Sequence, residues 1–261
     1  MLEFKTYIND EHKSWITFLH GFGGSSNIWH KQIRQLSKRY NLLFIDLRGH
    51  GKSRNVCLDS DFNLNTACED IIDVLKFLKI KSSHFIGISF GTLLILKLIK
   101  THENYIKKSI LAGAITSFNH FTRFLLLCLN LLKDILPNMM LYKLFAYIIM
   151  PKSNHKESRL LFVREAKIIE RKVFNQWLRL IPDLKKFILR LKPSDFDKYI
   201  LFLSGKDDYL FAKDVKTFAS KNNLHSLIKD VLKDRRLSDV PVGLLMSSGI
   251  DSNLIRKSTS Y

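Results

Sequence analysis

The sequence predicts an α/β protein: a mostly parallel sheet with flanking helices and a helical cap insertion. Three observations predict it. Short apolar runs alternate with segments of helical spacing over most of the chain, which is the rhythm of a parallel sheet covered on both faces. Several of these runs end in glycine-rich loops. Between residues 118 and 192 the strand-like runs stop, and only apolar-striped helical patterns remain. A length of 261 residues suits one such domain with an insertion. With 46 % hydrophobic residues the chain can bury a large core, which excludes disorder over most of its length.

The elements follow in order. Residues 14–19 read as a strand ending in the loop His20-Gly21-Phe22-Gly23-Gly24. Residues 28–39 read as a helix with Ile33 and Leu36 on one face. Residues 42–46 form the next strand, followed by the loop Leu47-Arg48-Gly49-His50-Gly51-Lys52-Ser53. Over 66–79, Ile71, Leu75 and Leu78 line one face of a helix, with Thr66 as its expected N-cap and Glu69 three residues on. A strand over 84–88 runs into Ser89, a helix follows over 90–100, and 108–113 is another strand. The stretch 118–192 is expected to hold three or four helices. The α/β rhythm resumes with a strand at 199–204, the loop Gly205-Lys206-Asp207-Asp208 and a helix over 212–221. Residues 1–117 and 193–223 thus form the expected core, with 118–192 as the cap.

Composition narrows the function classes. Cys57, Cys68 and Cys128 are scattered, with no paired or metal-ligand spacing, so reduced thiols and no metal site are expected. The first residues lack a basic segment followed by an apolar run. Arg123, Lys133, Asp134, Pro137 and Lys143 interrupt the most apolar stretch, which leaves no window of ~18 apolar residues for a spanning helix. A cytoplasmic protein is the expectation. The net charge is +18, and residues 118–192 hold 15 Lys/Arg against 5 Asp/Glu. No nucleic-acid-binding pattern accompanies that charge, so no nucleic-acid partner is expected.

The sequence Gly87-Ile88-Ser89-Phe90-Gly91 carries the chemistry. A sharp strand-to-helix turn holds its serine in a strained conformation, and a Cβ at either flanking position would collide with the neighbouring strand or helix. The turn lifts the hydroxyl above the sheet at a helix N-terminus, where backbone N–H groups stabilise negative charge.

Four motifs occur in register: His20-Gly21-Phe22-Gly23, Asp46-Leu47-Arg48-Gly49-His50-Gly51-Lys52-Ser53, the Ser89 elbow and Gly205-Lys206-Asp207-Asp208. In their order and spacing they resemble the α/β-hydrolase superfamily over roughly residues 10–220. Within it the chain looks like the branch of small intracellular esterases, thioesterases and carbon–carbon bond hydrolases with a helical cap. The resemblance implies an α/β-hydrolase fold with Ser89 as nucleophile and the Phe22 and Phe90 backbone amides as the oxyanion hole. It makes Asp208 the acid, with Asp207 as the alternative, and His20 and His50 structural loop histidines. The family's catalytic histidine lies ~25 residues beyond the acid, in a Gly-His loop after the last strand. Here the candidate base is His225, which is not preceded by such a loop.

Leu224 to Leu232 has helical spacing. The run from Arg236 through Ser247-Ser248-Gly249-Ile250-Asp251-Ser252 is similar to the start of the synthetase domain of glutamine-dependent asparagine synthetases, where the matching loop binds pyrophosphate. Residues 224–261 therefore read as a truncated synthetase-like tail joined near residue 220 to a hydrolase lacking its last strand.

Three readings of function stay open: a serine hydrolase cleaving an ester or thioester through Ser89, a catalytically impaired hydrolase-fold protein, and an ATP-binding fragment. The first needs no cofactor. Its apolar, basic cap suggests an acyl-chain substrate with an acidic head group, or peripheral contact with an anionic membrane. The alternative is that the stripes only pack on the sheet and the lysines are solvated.

Overall fold

A computed structural model of the chain describes residues 1–56, 61–192, 195, 199–205, 208–221 and 224–229. Among these residues seven strands form one sheet: β1 (Phe4–Tyr7), β2 (Trp15–Leu19), β3 (Asn41–Ile45), β4 (Ser83–Ile88), β5 (Ile106–Ala112), β6 (Tyr199–Gly205) and β7 (His225–Lys229). Their spatial order is β1-β3-β2-β4-β5-β6-β7. β1 pairs antiparallel with β3, and every other pairing is parallel.

The chain builds the sheet outward from its middle. From β2 it moves to β3 on one side, then returns to place β4 on the other side of β2 and continues to β7. The loops leaving β2 and β4 therefore diverge, and a crevice opens between them at the carboxyl edge, the place where open α/β sheets bind ligands.

Helices α1 (His30–Leu36), α2 (Leu64–Phe77), α3 (Phe90–Thr101) and α9 (Ala212–Lys221) flank the sheet. α3 buries nine of its twelve residues and α2 buries seven of fourteen, as a helix packed on a sheet requires. The N-cap of α2 is Asn63, whose side chain accepts from the amides of Asn65 and Thr66. Thr66, the expected cap, lies inside the helix because Asn63 satisfies its N–H first.

Five helices form the cap, one or two more than expected: α4 (His120–Leu132), α5 (Asn138–Ile149), α6 (Lys156–Ala166), α7 (Arg171–Leu178) and α8 (Ile181–Leu189). Proline makes the extra divisions. Pro137 caps α5 and a proline opens α8, and neither residue can continue a preceding helix.

The segment after Leu224 corrects the sequence reading. It forms β7, a strand, where the spacing suggests a helix. A short apolar run fits either state. The open edge of β6 decides between them, since its unpaired N–H and C=O groups gain partners from β7. The sheet thus has the further strand that the sequence reading denied it. Asp207 and residues 230–261, which hold most of the synthetase-like tail including Ser247 to Ser252, lie outside the described residues.

Candidate active site

The elbow has the geometry its sequence implies. Ser89 joins β4 to α3 at φ 48° and ψ −116°, a conformation that costs a non-glycine residue about 1–3 kcal/mol. Its amide continues the sheet ladder to Ala112 O at 3.0 Å, and its carbonyl accepts from the Thr92 amide at 3.0 Å. The Ser89 side chain makes no capping bond to α3. A Cβ on Gly91 would lie 2.5 Å from Leu19 O, and one on Gly87 would lie 2.5 Å from Ile95 Cδ1 and 3.0 Å from the Gly91 backbone. The two glycines let β2, the turn and α3 approach one another.

The loop after β2 faces this turn. A Cβ on Gly21 would lie 3.1 Å from Ser89 Cβ, so the Gly21–Phe22 backbone runs beside the serine. Among the described residues no hydrogen bond engages the Phe22 or Phe90 amide. Both are free to meet an oxygen.

Two buried histidines hold this loop. The His20 Nε2 accepts from the Leu47 amide at 3.0 Å while its Nδ1 meets Gly21 O at 2.8 Å. The His50 Nε2 accepts from the Gly23 amide at 3.1 Å while its Nδ1 meets Arg48 O at 2.9 Å. An N–H only donates and a carbonyl only accepts, so both rings are neutral and protonated at Nδ1. No ring nitrogen is left to activate a serine. Burial, followed by the neighbouring His20, pushes His50 down to about 3. Burial also lowers His20.

An unfolded histidine titrates near 6.5. Between that pH and about 3 the unfolded chain binds protons that the folded chain refuses. Stability is therefore lost as pH falls through this window, by up to about 1.4 kcal/mol per pH unit for each such histidine. Denaturant midpoints at pH 7.5 and 5.0 are expected to differ less in His50→Gln than in the wild type. An unchanged difference would contradict the neutral-pin assignment.

Asp208 follows β6 at the same edge of the sheet. Its Oδ1 accepts from the amides of Leu210 at 3.2 Å and Phe211 at 3.0 Å. Burial raises its pKa against the lowering effect of these backbone bonds. With β5 between β4 and β6, the elbow and the acid loop are about 10 Å apart across the sheet, a gap that the imidazole fills in a Ser–His–Asp arrangement.

His225 is not brought to that gap. It opens β7 in register with Leu201, whereas Lys229 pairs with Gly205 at the carboxyl edge. At the rise of a parallel strand, its backbone lies ~13 Å back from that edge. The backbone of His225 thus sits at the end of β7 away from the edge that carries Ser89 and Asp208. Residues 226–261 contain no other histidine.

Over Ser89 the cap closes a cavity of about 240 Å³. Its walls are apolar, from Leu93 and Ile88 below to Leu126, Leu141 and Phe162 above. Trp177 of α7 ties cap to core: its Nε1 donates to Arg48 O at 3.1 Å, and its ring meets Phe90 and His50 edge-on at 5.0 and 5.3 Å. Asn119 and Ser117, at the start of the cap, both donate to Asp214 Oδ2 on α9. The sequence reading missed Glu165, a buried carboxylate on α6 that lines the cavity. No Lys or Arg lines the cavity among the described residues, so the acidic head group suggested by the cap's charge finds no cation there. The groups found by motif are those fixed by local backbone; Glu165 reaches the cavity through tertiary packing and has no local signature. No cluster suited to a metal ion occurs among the described residues.

A strained serine elbow at the switch point of a parallel sheet, beneath a helical cap, defines a class, and the family profile agrees. The chain belongs to the alpha/beta hydrolase fold family, whose profile matches residues 15–146. It is 35 % identical over 78 residues to a 3-oxoadipate enol-lactonase of Acinetobacter baylyi, covering 30 % of this chain and 28 % of that one. It is 25 % identical over 118 residues to a putative carbamate hydrolase RutD of Yersinia enterocolitica, covering 45 % and 41 %. The chain thus spans less than half the length of these curated relatives. Among solved structures, an enol-lactonase from Burkholderia xenovorans superposes with a TM-score of 0.79 at 14 % identity, covering 100 % of this chain and 96 % of that one. A hydrolase from Oleispira antarctica gives 0.81 at 17 %, covering 99 % and 94 %.

Proposed function

We propose that the protein is a serine hydrolase that opens an ester or thioester through an acyl-enzyme on Ser89. The strained Ser89 turn at the floor of an apolar cavity is the observation that carries this reading. In the proposed reaction the Ser89 oxygen attacks the substrate carbonyl, and the Phe22 and Phe90 amides receive the oxyanion. The tetrahedral intermediate then expels an alcohol or thiol, and water releases the acid. Asp208 would orient the base. The apolar walls suit an acyl chain. An enol-lactone is an internal ester, so the likeness to enol-lactonases supports an acyl–oxygen substrate.

A second reading, an impaired hydrolase, is favoured by the position of His225 at the wrong edge of the sheet. Without a base at the carboxyl edge, acylation and above all deacylation slow by orders of magnitude. We propose no nucleotide-binding role for the tail.

The proposal extends to where the ester is met. Phe121, Phe124, Leu127, Leu131 and Ile135 recur every three or four residues and are exposed, and Arg123 on α4 and Lys143 on α5 are exposed too. Such a face fits an anionic membrane surface. No helix among the described residues is long and apolar enough to cross a membrane.

Stopped-flow hydrolysis of p-nitrophenyl esters tests the scheme. The expected trace is a burst of about one nitrophenolate per chain followed by a slow phase, the burst faster for octanoate than for acetate and absent in Ser89→Ala. A fast linear trace in the wild type would remove the second reading; an unchanged rate in Ser89→Ala would remove both. With the octanoate ester in vesicles, phosphatidylglycerol is expected to give the higher rate and phosphatidylcholine the lower, and equal rates would sink the membrane contact.

A further inference from the structure

The cavity over Ser89 has one charged wall. Glu165 on α6 lines it and is buried, and it is the one charged side chain doing so among the described residues. Its carboxylate accepts a hydrogen bond from the Ser25 hydroxyl, and no ion pair to it occurs among the described residues. A buried carboxylate held by one hydroxyl lacks the compensation that low-dielectric surroundings demand. The His20 ring lies within its electrostatic reach but cannot supply a positive charge. That ring is held neutral, because its Nε2 lone pair accepts from the Leu47 amide.

Two further cavity-lining residues have hydroxyls without a partner. Ser158, seven residues before Glu165 and on the same face of α6, is 1 % exposed, and Tyr142 of α5 is 2 % exposed. Neither Ser158 Oγ nor Tyr142 OH has a hydrogen-bond partner. Tyr142 belongs to an aromatic cluster, with ring centroids 5.2 Å from Phe174, 6.0 Å from Phe162 and 6.0 Å from Phe22. Unsatisfied buried hydroxyls are costly. A carboxylate, two idle oxygens and several aromatic rings together describe what is missing: a donor carrying positive charge, which hydrogen-bonds to oxygens and is attracted to ring faces.

We infer that Glu165, with Ser158 and Tyr142, forms a subsite for a protonated amine borne by the ligand of the Ser89 cavity. The inference rests on the reading of that cavity as the substrate site and names the class within it: an amine-bearing acyl compound, not an acid. The cap's positive charge does not oppose this, because its Lys and Arg residues lie outside the cavity lining.

Binding measured without turnover separates the subsite from the catalytic proposal. Octylammonium, octanol and octanoate are titrated into Ser89→Ala at fixed ionic strength, following Trp177-dependent fluorescence. The expected order is octylammonium at least tenfold tighter than octanoate, with octanol between. Glu165→Gln is expected to bring all three within about threefold, and Ser158→Ala to weaken octylammonium alone. Because the Ser89→Ala cavity with Glu165 intact ranks the three ligands by itself, the test survives if Glu165→Gln fails to fold. Octanoate binding as tightly as octylammonium overturns the subsite, as does a folded Glu165→Gln that keeps the amine preference. A Ser89 site inert toward esters that still prefers octylammonium would sink the hydrolase reading and leave the subsite standing.

Discussion

Gly91→Ala is expected to destabilise the protein by up to about 2 kcal/mol and to disable the Ser89 site in whatever folded protein remains. Two effects oppose each other. In a helix interior alanine is better than glycine by about 1 kcal/mol, and Gly91 lies in the first turn of α3. The new methyl, however, would lie 2.5 Å from Leu19 O and 2.8 Å from His20 O. Both contacts are backbone at the end of a central strand, so neither can rotate away. Overpacking of this kind costs about 1–3 kcal/mol, occasionally more, and the steric effect wins. Relief requires α3 to move from β2, which separates the Phe90 amide from the Phe22 amide. A misplacement of ~1 Å at a reacting centre costs about 100-fold in rate. Chemical denaturation and ester hydrolysis together check this, and a variant as stable and active as the wild type would show the close approach to be unnecessary.

Ser89→Gly is expected to do the reverse for stability while removing chemistry entirely. The serine holds φ 48° and ψ −116°, and relieving that strain returns about 1–3 kcal/mol. Glycine gives back about 0.5–1 kcal/mol through its freer unfolded chain. The expected balance is a gain of about 1 kcal/mol, or about 2–4 °C in Tm for a chain of this size. Labelling by a serine-directed probe should vanish at once. A Tm that falls would mean the strain is not stored at this residue.

Much of this architecture is legible in the sequence. The strands 15–19, 41–45 and 83–88 are short, dense apolar runs, and the elbow's glycines are dictated by sterics that a five-residue pattern expresses locally. β1 carries no such signal, because a four-residue antiparallel edge strand has no periodicity to read. The spacing of β7 points to a helix, but its strand state is set by the free edge of β6. The site divides the same way. Ser89, Phe22 and Phe90 line one cavity and Asp208 shares the sheet edge, whereas the place of His225 follows from the pairing of β7 with β6. Ser25 and Glu165 pair across 140 residues of sequence, Tyr142 and Ser158 join Glu165 in the cavity lining, and no motif announces them.

The central claim is that the elbow presents Ser89 as a nucleophile to the capped cavity. Intact-mass and peptide analysis after prolonged exposure to an alkyl fluorophosphonate tests it most directly. One adduct per chain, mapped to Ser89 and lost in both Ser89→Ala and Ser89→Gly, is the predicted result. An unmodified protein, or an adduct mapped to any other residue, would contradict it.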